Sequence, residues 1–128
     1  MSRQLYQGKI LEHYREPLNR GNVEEPDLES EVSNPHCGDE LRFTAKVEGE
    51  GFVELKFDGE GCALSTASAS LLTERLSGQD RGSVTDLEPG EVFRLLGVEK
   101  EEVTPIRQKC VLLAKEGIEK LVSEDDET

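Results

Sequence analysis

The chain has 128 residues, 34% of them charged, and a formal net charge of −13 at pH 7. That length predicts a single domain over residues 1–128, and the negative charge disfavours nucleic acid as a partner because phosphate backbones would be repelled. No apolar stretch approaches the roughly 18 residues of a membrane-spanning helix. The N-terminus also lacks the apolar core of a signal peptide, so we expect a cytoplasmic protein with no membrane partner.

The first part of the chain predicts a helix followed by a loop. Tyr6, Ile10 and Tyr14 recur at four-residue steps and give residues 2–15 one apolar face. Residues 16–30 contain two prolines and no apolar period, so we expect a surface loop there.

The middle of the chain predicts an antiparallel hairpin. Apolar and polar residues alternate over 41–47 and again over 52–58, and the Glu-Gly-Glu-Gly sequence between them is typical of a turn. Such alternation indicates strands with one buried face. Residues 30–34 are a candidate third strand. Because a two-stranded sheet alone is marginally stable, helices must cover it.

The second half predicts mainly helices. They extend over 65–76, over 91–96 and from Pro105 onward, with Thr104 as the cap of the last helix. The acidic residues 122–128 are expected to fray as a C-terminal tail. Strands followed by helices indicate an α+β fold.

Cysteine and aspartate residues carry the chemistry of this sequence. Three cysteines cannot complete a disulfide framework, which favours metal binding or thiol chemistry. Only Gly38 separates Cys37 from Asp39, and side chains two positions apart in extended backbone point the same way. A thiolate and a carboxylate can therefore bind one ion. The alternative is a simple turn in which Asp39 bonds its own backbone.

Cys62 lies at the junction between the second hairpin strand and a predicted helix. Gly59 and Gly61 precede it, which indicates a sharp bend with close backbone approach. A thiolate at a helix N-terminus is stabilised by the helix dipole. This setting favours a functional thiol, although free cysteine also packs well as a small hydrophobic residue.

Cys110 is the most ambiguous of the three thiols. It lies on the apolar face of the last predicted helix, where a cysteine of the core would look the same. Its position alone therefore favours a packing role. Arg107 and Lys109 could balance the charge of a thiolate there. We expect neither histidine, His13 or His36, to be a ligand.

Three thiolates and one carboxylate match the four ligands of one tetrahedral metal ion or of one small iron–sulfur cluster. A hard oxygen ligand among soft sulfurs weakens the hold on an iron cluster. Such a ligand set suits a cluster that is passed on better than one that is kept for electron transfer.

Three segments carry a resemblance to a known family. Asn-Pro-His-Cys-Gly-Asp at 34–39, Gly-Glu-Gly-Cys-Ala-Leu-Ser-Thr-Ala-Ser-Ala-Ser at 59–70 and Arg-Gln-Lys-Cys at 107–110 resemble the U-type iron–sulfur cluster assembly family. That family includes IscU, the N-terminal domain of NifU, and SufU. The opening segment 6–21 is similar to its N-terminal helix and loop.

The resemblance implies a fold, a ligand set and a function. The fold would be a small antiparallel sheet of about three strands with helices packed on one side and a metal site at one end. The ligands would be Cys37, Asp39, Cys62 and Cys110. The protein would be a scaffold that receives sulfur from a cysteine desulfurase, builds a transient 2Fe–2S cluster and transfers it to acceptor or carrier proteins.

Two departures from the IscU pattern keep an alternative open. Lys109 stands where IscU-type members have histidine, which is a SufU-like trait, and SufU-type members often hold Zn²⁺ and carry sulfur as a persulfide. However, residues 76–104 are too few for the full SufU insertion. The Leu-Pro-Pro-Val-Lys segment that IscU proteins offer to a chaperone is here Val-Thr-Pro-Ile-Arg at 103–107.

The sequence therefore leaves three functions open. The first is the cluster scaffold. The second is a zinc-dependent sulfurtransferase, with Cys37 as the candidate persulfide acceptor and Cys62 or Cys110 as the other possibilities. The third is a structural zinc module that only binds a partner. The oligomeric state is not predicted.

Overall fold

The structure, a computed structural model, describes residues 8–35 and 38–126. Within these ranges the regular elements follow in the order α1 (Lys9–Arg15), β1 (Leu28–Asn34), β2 (Asp39–Glu48), β3 (Gly51–Glu60), α2 (Ala63–Leu76), α3 (Gly82–Thr85), α4 (Pro89–Leu96), a single 3₁₀ turn (Lys100–Glu102) and α5 (Pro105–Asp126).

The strands form an antiparallel sheet in the order β1-β2-β3. Val32 of β1 pairs with Leu41 of β2, and Phe43 of β2 pairs with Phe57 of β3. The predicted hairpin and the candidate third strand are both confirmed. The predicted third strand is β1, which begins at Leu28. The prediction of a loop over 16–30 was therefore wrong at its C-terminal end.

Helices α2 and α5 pack against one face of this sheet, which confirms the α+β class. The side chains of Phe43, Phe57 and Leu72 are fully buried between these layers. Gly117 of α5 allows the closest approach, because a Cβ atom there would lie 2.4 Å from the Phe43 ring. Glycine at this position therefore brings α5, and with it Cys110, down onto the sheet.

The loop before β1 covers the other face of the sheet. Val23 is 4% exposed, and its backbone N–H donates to Thr44 Oγ1 at 2.9 Å. Nearby, the N–H of Gly21 donates to the Phe57 carbonyl at 2.8 Å and so covers part of the free edge of β3. The sequence predicted this loop without its role, because its contacts follow no period.

Helix boundaries differ from the predictions by a few residues. Helix α2 begins at Ala63 rather than 65, and α4 begins at Pro89 rather than 91. Short helix α3 and the 3₁₀ turn were not predicted. The stretch 122–128, predicted as a frayed tail, begins inside α5, which continues to Asp126, so fraying there stays a prediction.

Two other statements concern only the described residues. Helix α1 ends at Arg15 as predicted, whereas the predicted start at residue 2 lies outside them. None of the helices in 8–35 and 38–126 is both long and apolar enough to cross a membrane.

Candidate metal centre

Asp39 is placed by the turn between β1 and β2. The N–H of Gly38 donates to the carbonyl of Asn34 at 2.9 Å, and Gly38 adopts a φ of +70° that favours glycine. Asp39 then begins β2, opposite Asn34, with its side chain 2% exposed. Its Oδ1 atom accepts the backbone N–H of Cys62 at 2.9 Å. The carboxylate is therefore directed at the start of α2.

Cys62 is the N-cap residue of α2, as the sequence predicted for a thiol at a helix N-terminus. Its backbone is extended, with φ −71° and ψ 173°. The predicted close approach before it is confirmed, because a Cβ atom on Gly59 would lie 2.1 Å from the Glu40 carbonyl oxygen. The side chain of Cys62 is half-buried, so this thiol lies at the rim of the protein.

Cys110 lies in the second turn of α5, on the face that packs against the rest of the fold. It is 2% exposed, and its Sγ lies 3.7 Å from the carbonyl oxygen of Ile106. The sequence offered a packing role or a ligand role for this thiol. In the structure the thiol is buried and also adjoins the other two candidate ligands.

Three ligand atoms, one each from Asp39, Cys62 and Cys110, lie within 4.8 Å of one another. We call these three residues, which could hold a metal ion, the metal centre. The Cys62 Sγ atom lies 3.6 Å from Asp39 Oδ2. Ordinary zinc–sulfur and zinc–oxygen bond lengths place two ligand atoms of one tetrahedral ion about 3.5–3.8 Å apart. The distance between Cys62 and Asp39 already fits a single ion, and the other pairs would have to close by no more than about 1 Å.

The other residues considered for this site lie partly outside and partly within the described ranges. Cys37 and His36 lie outside the described residues, so the role of Cys37 as a ligand or persulfide acceptor stays a prediction. His13 has a structural role, since its Nδ1 lies 2.8 Å from Ser70 Oγ and this hydrogen bond joins α1 to α2. Arg107 and Lys109 are both exposed on α5.

Ser65 also lies in this region, although no pattern in the sequence singled it out. Its side chain is fully buried, and its Oγ lies 3.7 Å from Cys62 Sγ. Its spacing fits this contact, because residues three apart on a helix share a face, and Ser65 follows Cys62 by three positions at the start of α2.

The chain matches a known protein family over most of its length. Residues 5–126 match the NifU-like N terminal domain family. A Bacillus subtilis (strain 168) protein named zinc-dependent sulfurtransferase SufU is 33% identical over 139 residues, which cover 95% of this chain and 92% of the relative. An Azotobacter vinelandii protein named iron–sulfur cluster assembly scaffold protein IscU is 33% identical over 122 residues, which cover 91% of each chain.

A solved structure shows the same fold. The crystal structure of a candidate iron–sulfur cluster assembly scaffold of the SUF system from Fervidobacterium islandicum AW-1 superposes with a TM-score of 0.78. It is 26% identical, and the match covers 95% of this chain and 99% of that one. The SufU alignment is longer than this chain, so that relative has residues with no counterpart here. The match over nearly the whole sequence shows that the chain belongs to the NifU-like N-terminal domain family.

Proposed function

We propose that the protein is an iron–sulfur cluster assembly scaffold whose cargo is held by Cys37, Asp39, Cys62 and Cys110. The observation that carries this proposal is the convergence of Asp39, Cys62 and Cys110 within 4.8 Å from a strand, a helix cap and a distant helix. The relative from Azotobacter vinelandii is named as such a scaffold. Cys37, two residues before Asp39, supplies the fourth ligand in this proposal.

The ligand set suits cargo that has to leave. Soft thiolates bind iron–sulfur clusters well, whereas a carboxylate oxygen is a harder and weaker ligand. Asp39 thus gives the site one bond that breaks more easily than the others. Cys62 is half-buried at the rim, which leaves one side of the site open to a partner that delivers or removes the cargo.

In this role the protein has two kinds of partner. A cysteine desulfurase supplies the sulfur, and acceptor or carrier proteins receive the completed cluster. We place these steps in the cytoplasm, as the sequence predicts.

A second candidate function is a zinc-dependent sulfurtransferase, and the compactness of the metal centre favours it. A 2Fe–2S cluster divides its ligands between two irons, so among three ligands at least one pair spans the cluster and lies further apart than two ligands of one ion. The three ligand atoms here all fit around a single ion. Zinc bound there would hold Asp39, Cys62 and Cys110 and would stabilise their negative charge.

The chain's own part in sulfur transfer is nucleophilic. A thiolate of this protein, Cys37 in our assignment, attacks the outer sulfur of the persulfide on the desulfurase. The bond between the two sulfurs of the desulfurase breaks, and its cysteine leaves as a thiolate that takes up a proton. The sulfur is then held on Cys37 as a new persulfide, with no net oxidation or reduction.

Anaerobic purification followed by elemental analysis tests the two functions. A scaffold incubated with iron, cysteine and a desulfurase gains visible sulfur-to-iron absorption, and the Cys62→Ser variant does not. A protein that stays colourless and binds no iron contradicts the scaffold. The sulfurtransferase predicts bound zinc and a mass increase of one sulfur atom on a single cysteine, and the absence of any such adduct contradicts it.

A structural zinc module, the third function considered from the sequence, requires ligands that are closed off and unreactive. The half-buried side chain of Cys62 disfavours it. Rapid alkylation of Cys37 in the zinc-loaded protein excludes it.

A further inference from the structure

Ser65 lies in direct contact with Cys62 but is not one of the three residues of the metal centre. Its side chain is 0% exposed. The Ser65 Oγ atom lies 3.2 Å from the carbonyl oxygen of Cys62 and 3.7 Å from its Sγ. One hydroxyl is thus within reach of two acceptors that belong to the same residue.

The hydrogen atoms at this contact depend on the state of the thiol. As a thiol, Cys62 donates its S–H to Ser65 Oγ or to Asp39 Oδ2, while the Ser65 hydroxyl donates to the Cys62 carbonyl. A metal or cluster ligand has lost that proton. The sulfur then carries negative charge and faces the lone pairs of the hydroxyl oxygen, unless the hydroxyl hydrogen turns toward it.

That rotation leaves no buried acceptor without a partner. The carbonyl of Cys62 also accepts the backbone N–H of Thr66 at 3.0 Å, within the first turn of α2. A hydrogen bond from a hydroxyl to a charged acceptor is stronger than one to a neutral carbonyl. The turned hydroxyl is therefore favoured once the sulfur is a thiolate.

We propose that Ser65 is a positioning residue, whose hydroxyl turns from the Cys62 carbonyl to the Cys62 sulfur when that sulfur is ligated. The hydroxyl holds Cys62, the most exposed ligand of the metal centre, in place. It also reduces the charge that the Cys62 sulfur donates to the bound metal. The proposal rests on the proposed function, because it requires Cys62 to be a ligand.

Gly61 keeps the space that this hydroxyl occupies. A Cβ atom on Gly61 would lie 2.3 Å from Ser65 Oγ and 3.3 Å from Asp39 Oδ1. Alanine at this position would force the hydroxyl away and crowd the carboxylate. The Gly61→Ala variant thus keeps the Ser65 side chain but displaces it from Cys62.

Ser68 provides a matched control on the same helix. It is also a buried serine, at 1% exposure, but its Oγ donates to the carbonyl of Val111 at 2.7 Å. Loss of that bond weakens the packing of α2 on α5 without touching Cys62. Ser65→Ala and Ser68→Ala therefore remove the same group from similarly buried positions.

The experiment loads the full chain with Co²⁺ as a spectroscopic substitute for zinc and titrates it with Zn²⁺ against a chelator. Loss of a hydrogen bond to a ligand costs about 10-fold in metal affinity. Ser65→Ala is expected to show that loss, with the sulfur-to-cobalt absorption moved to lower energy because the sulfur donates more strongly. Ser68→Ala is expected to lower the melting temperature of the metal-free protein and to leave affinity and absorption unchanged.

The outcomes separate this proposal from the proposed function. If the unmodified protein gives no sulfur-to-cobalt absorption, the metal centre and the role of Ser65 are both wrong. If it does, and Ser65→Ala matches Ser68→Ala in affinity and absorption, only the role of Ser65 is wrong. If Ser65→Ala does not fold, the absorption of Gly61→Ala decides, because a displaced hydroxyl must shift the sulfur-to-cobalt band, and an unshifted band shows that the role of Ser65 is wrong. The affinity of this variant does not decide, since the added Cβ also crowds Asp39.

Discussion

The two ends of helix α2 contact the sheet in different ways. At its C-terminal end, the N–H of Gly78 donates to the Phe52 carbonyl and the N–H of Phe52 donates to the Gln79 carbonyl, both at 2.9 Å. At its N-terminal end, the Cys62 N–H donates to Asp39 Oδ1. We call the first region the hairpin end and the second the metal end.

The two ends differ in whether their contacts only stabilise the fold or also involve groups that could bind a metal. The hairpin end is held by backbone groups whose partners are always present, so it is stable whatever the protein binds. At the metal end a carboxylate accepts the backbone N–H, and the thiols of Cys62 and Cys110 lie beside it. Metal ions bind both kinds of group. Substitutions at the hairpin end should therefore change only the free energy of unfolding, whereas substitutions at the metal end should also change metal binding.

The largest expected effect is that of Cys110→Ala on metal binding. If Cys110 is a ligand, its removal should lower zinc affinity by at least about 100-fold. A loss of that size is the largest that is typical of residues that contact a ligand without binding the metal themselves. The free energy of unfolding of the metal-free protein should fall by only about 1 kcal/mol, because one small buried group is lost. Zinc titration and urea unfolding measure the two quantities.

Val111→Ala is the control for that experiment. Val111 is the next residue on α5 and is fully buried, yet it has no group that binds a metal. It should lose about 2 kcal/mol of stability and keep its zinc affinity. If Cys110→Ala behaves in the same way, Cys110 is a core residue, as its position in the sequence alone suggested.

Gly59→Ala should cause the largest loss of stability at the metal end. Gly59 has a φ of +121°, and a Cβ atom would lie 2.1 Å from the Glu40 carbonyl oxygen beside Asp39. The strained backbone alone costs about 3 kcal/mol. We expect lower stability together with weaker zinc binding, because β2 and β3 must move apart near Asp39, the first residue of β2.

Gly49→Ala tests whether this effect belongs to the metal end. Gly49, in the hairpin turn, also has a positive φ, of +62°, but a Cβ atom there would meet nothing within 4 Å. It should cost about 1 kcal/mol and leave zinc binding unchanged. Equal losses of zinc affinity in both variants would show that metal binding depends on overall stability and not on the local geometry at Gly59.

The metal end also shows how far the sequence could predict the site. The spacing of Gly59, Gly61 and Cys62 indicated a bend and a helix start, because such features depend on local backbone chemistry. The convergence of Cys62 with Cys110 is a different matter. It depends on where Gly117 lets α5 settle on the sheet, so the residues alone left Cys110 ambiguous and only the family resemblance favoured a ligand.

The fold shows the same limit. Alternating strands and capped helices were predictable because their periods are local. The packing of the loop over 16–27 on the sheet was not predicted, although Val23 in this loop is buried. The loop contacts the sheet through single hydrogen bonds that follow no period. Patterns in the sequence thus specify elements, whereas the contacts between elements depend on packing.

Arg81→Ala should affect the hairpin end alone. The side chain of Arg81 is only 13% exposed, and its Nη2 donates to the Gly49 carbonyl at 2.7 Å. Loss of a hydrogen bond from a charged side chain that is itself largely buried should lower stability by about 1–2 kcal/mol. Zinc affinity should stay within about twofold. A larger change in affinity would show that the two ends are coupled through α2.

The smallest expected effect is that of Glu50→Ala, which identifies what Arg81 binds. Glu50 lies 3.5 Å from Arg81 Nη2, but its side chain is 79% exposed, so solvent screens the ion pair. Removing it should change stability by no more than about 0.5 kcal/mol, and the loss of one negative charge from a chain of net charge −13 offsets part of that. If Glu50→Ala instead matches Arg81→Ala at low salt and the two losses shrink together at high salt, the ion pair, rather than the Gly49 carbonyl, holds the hairpin end.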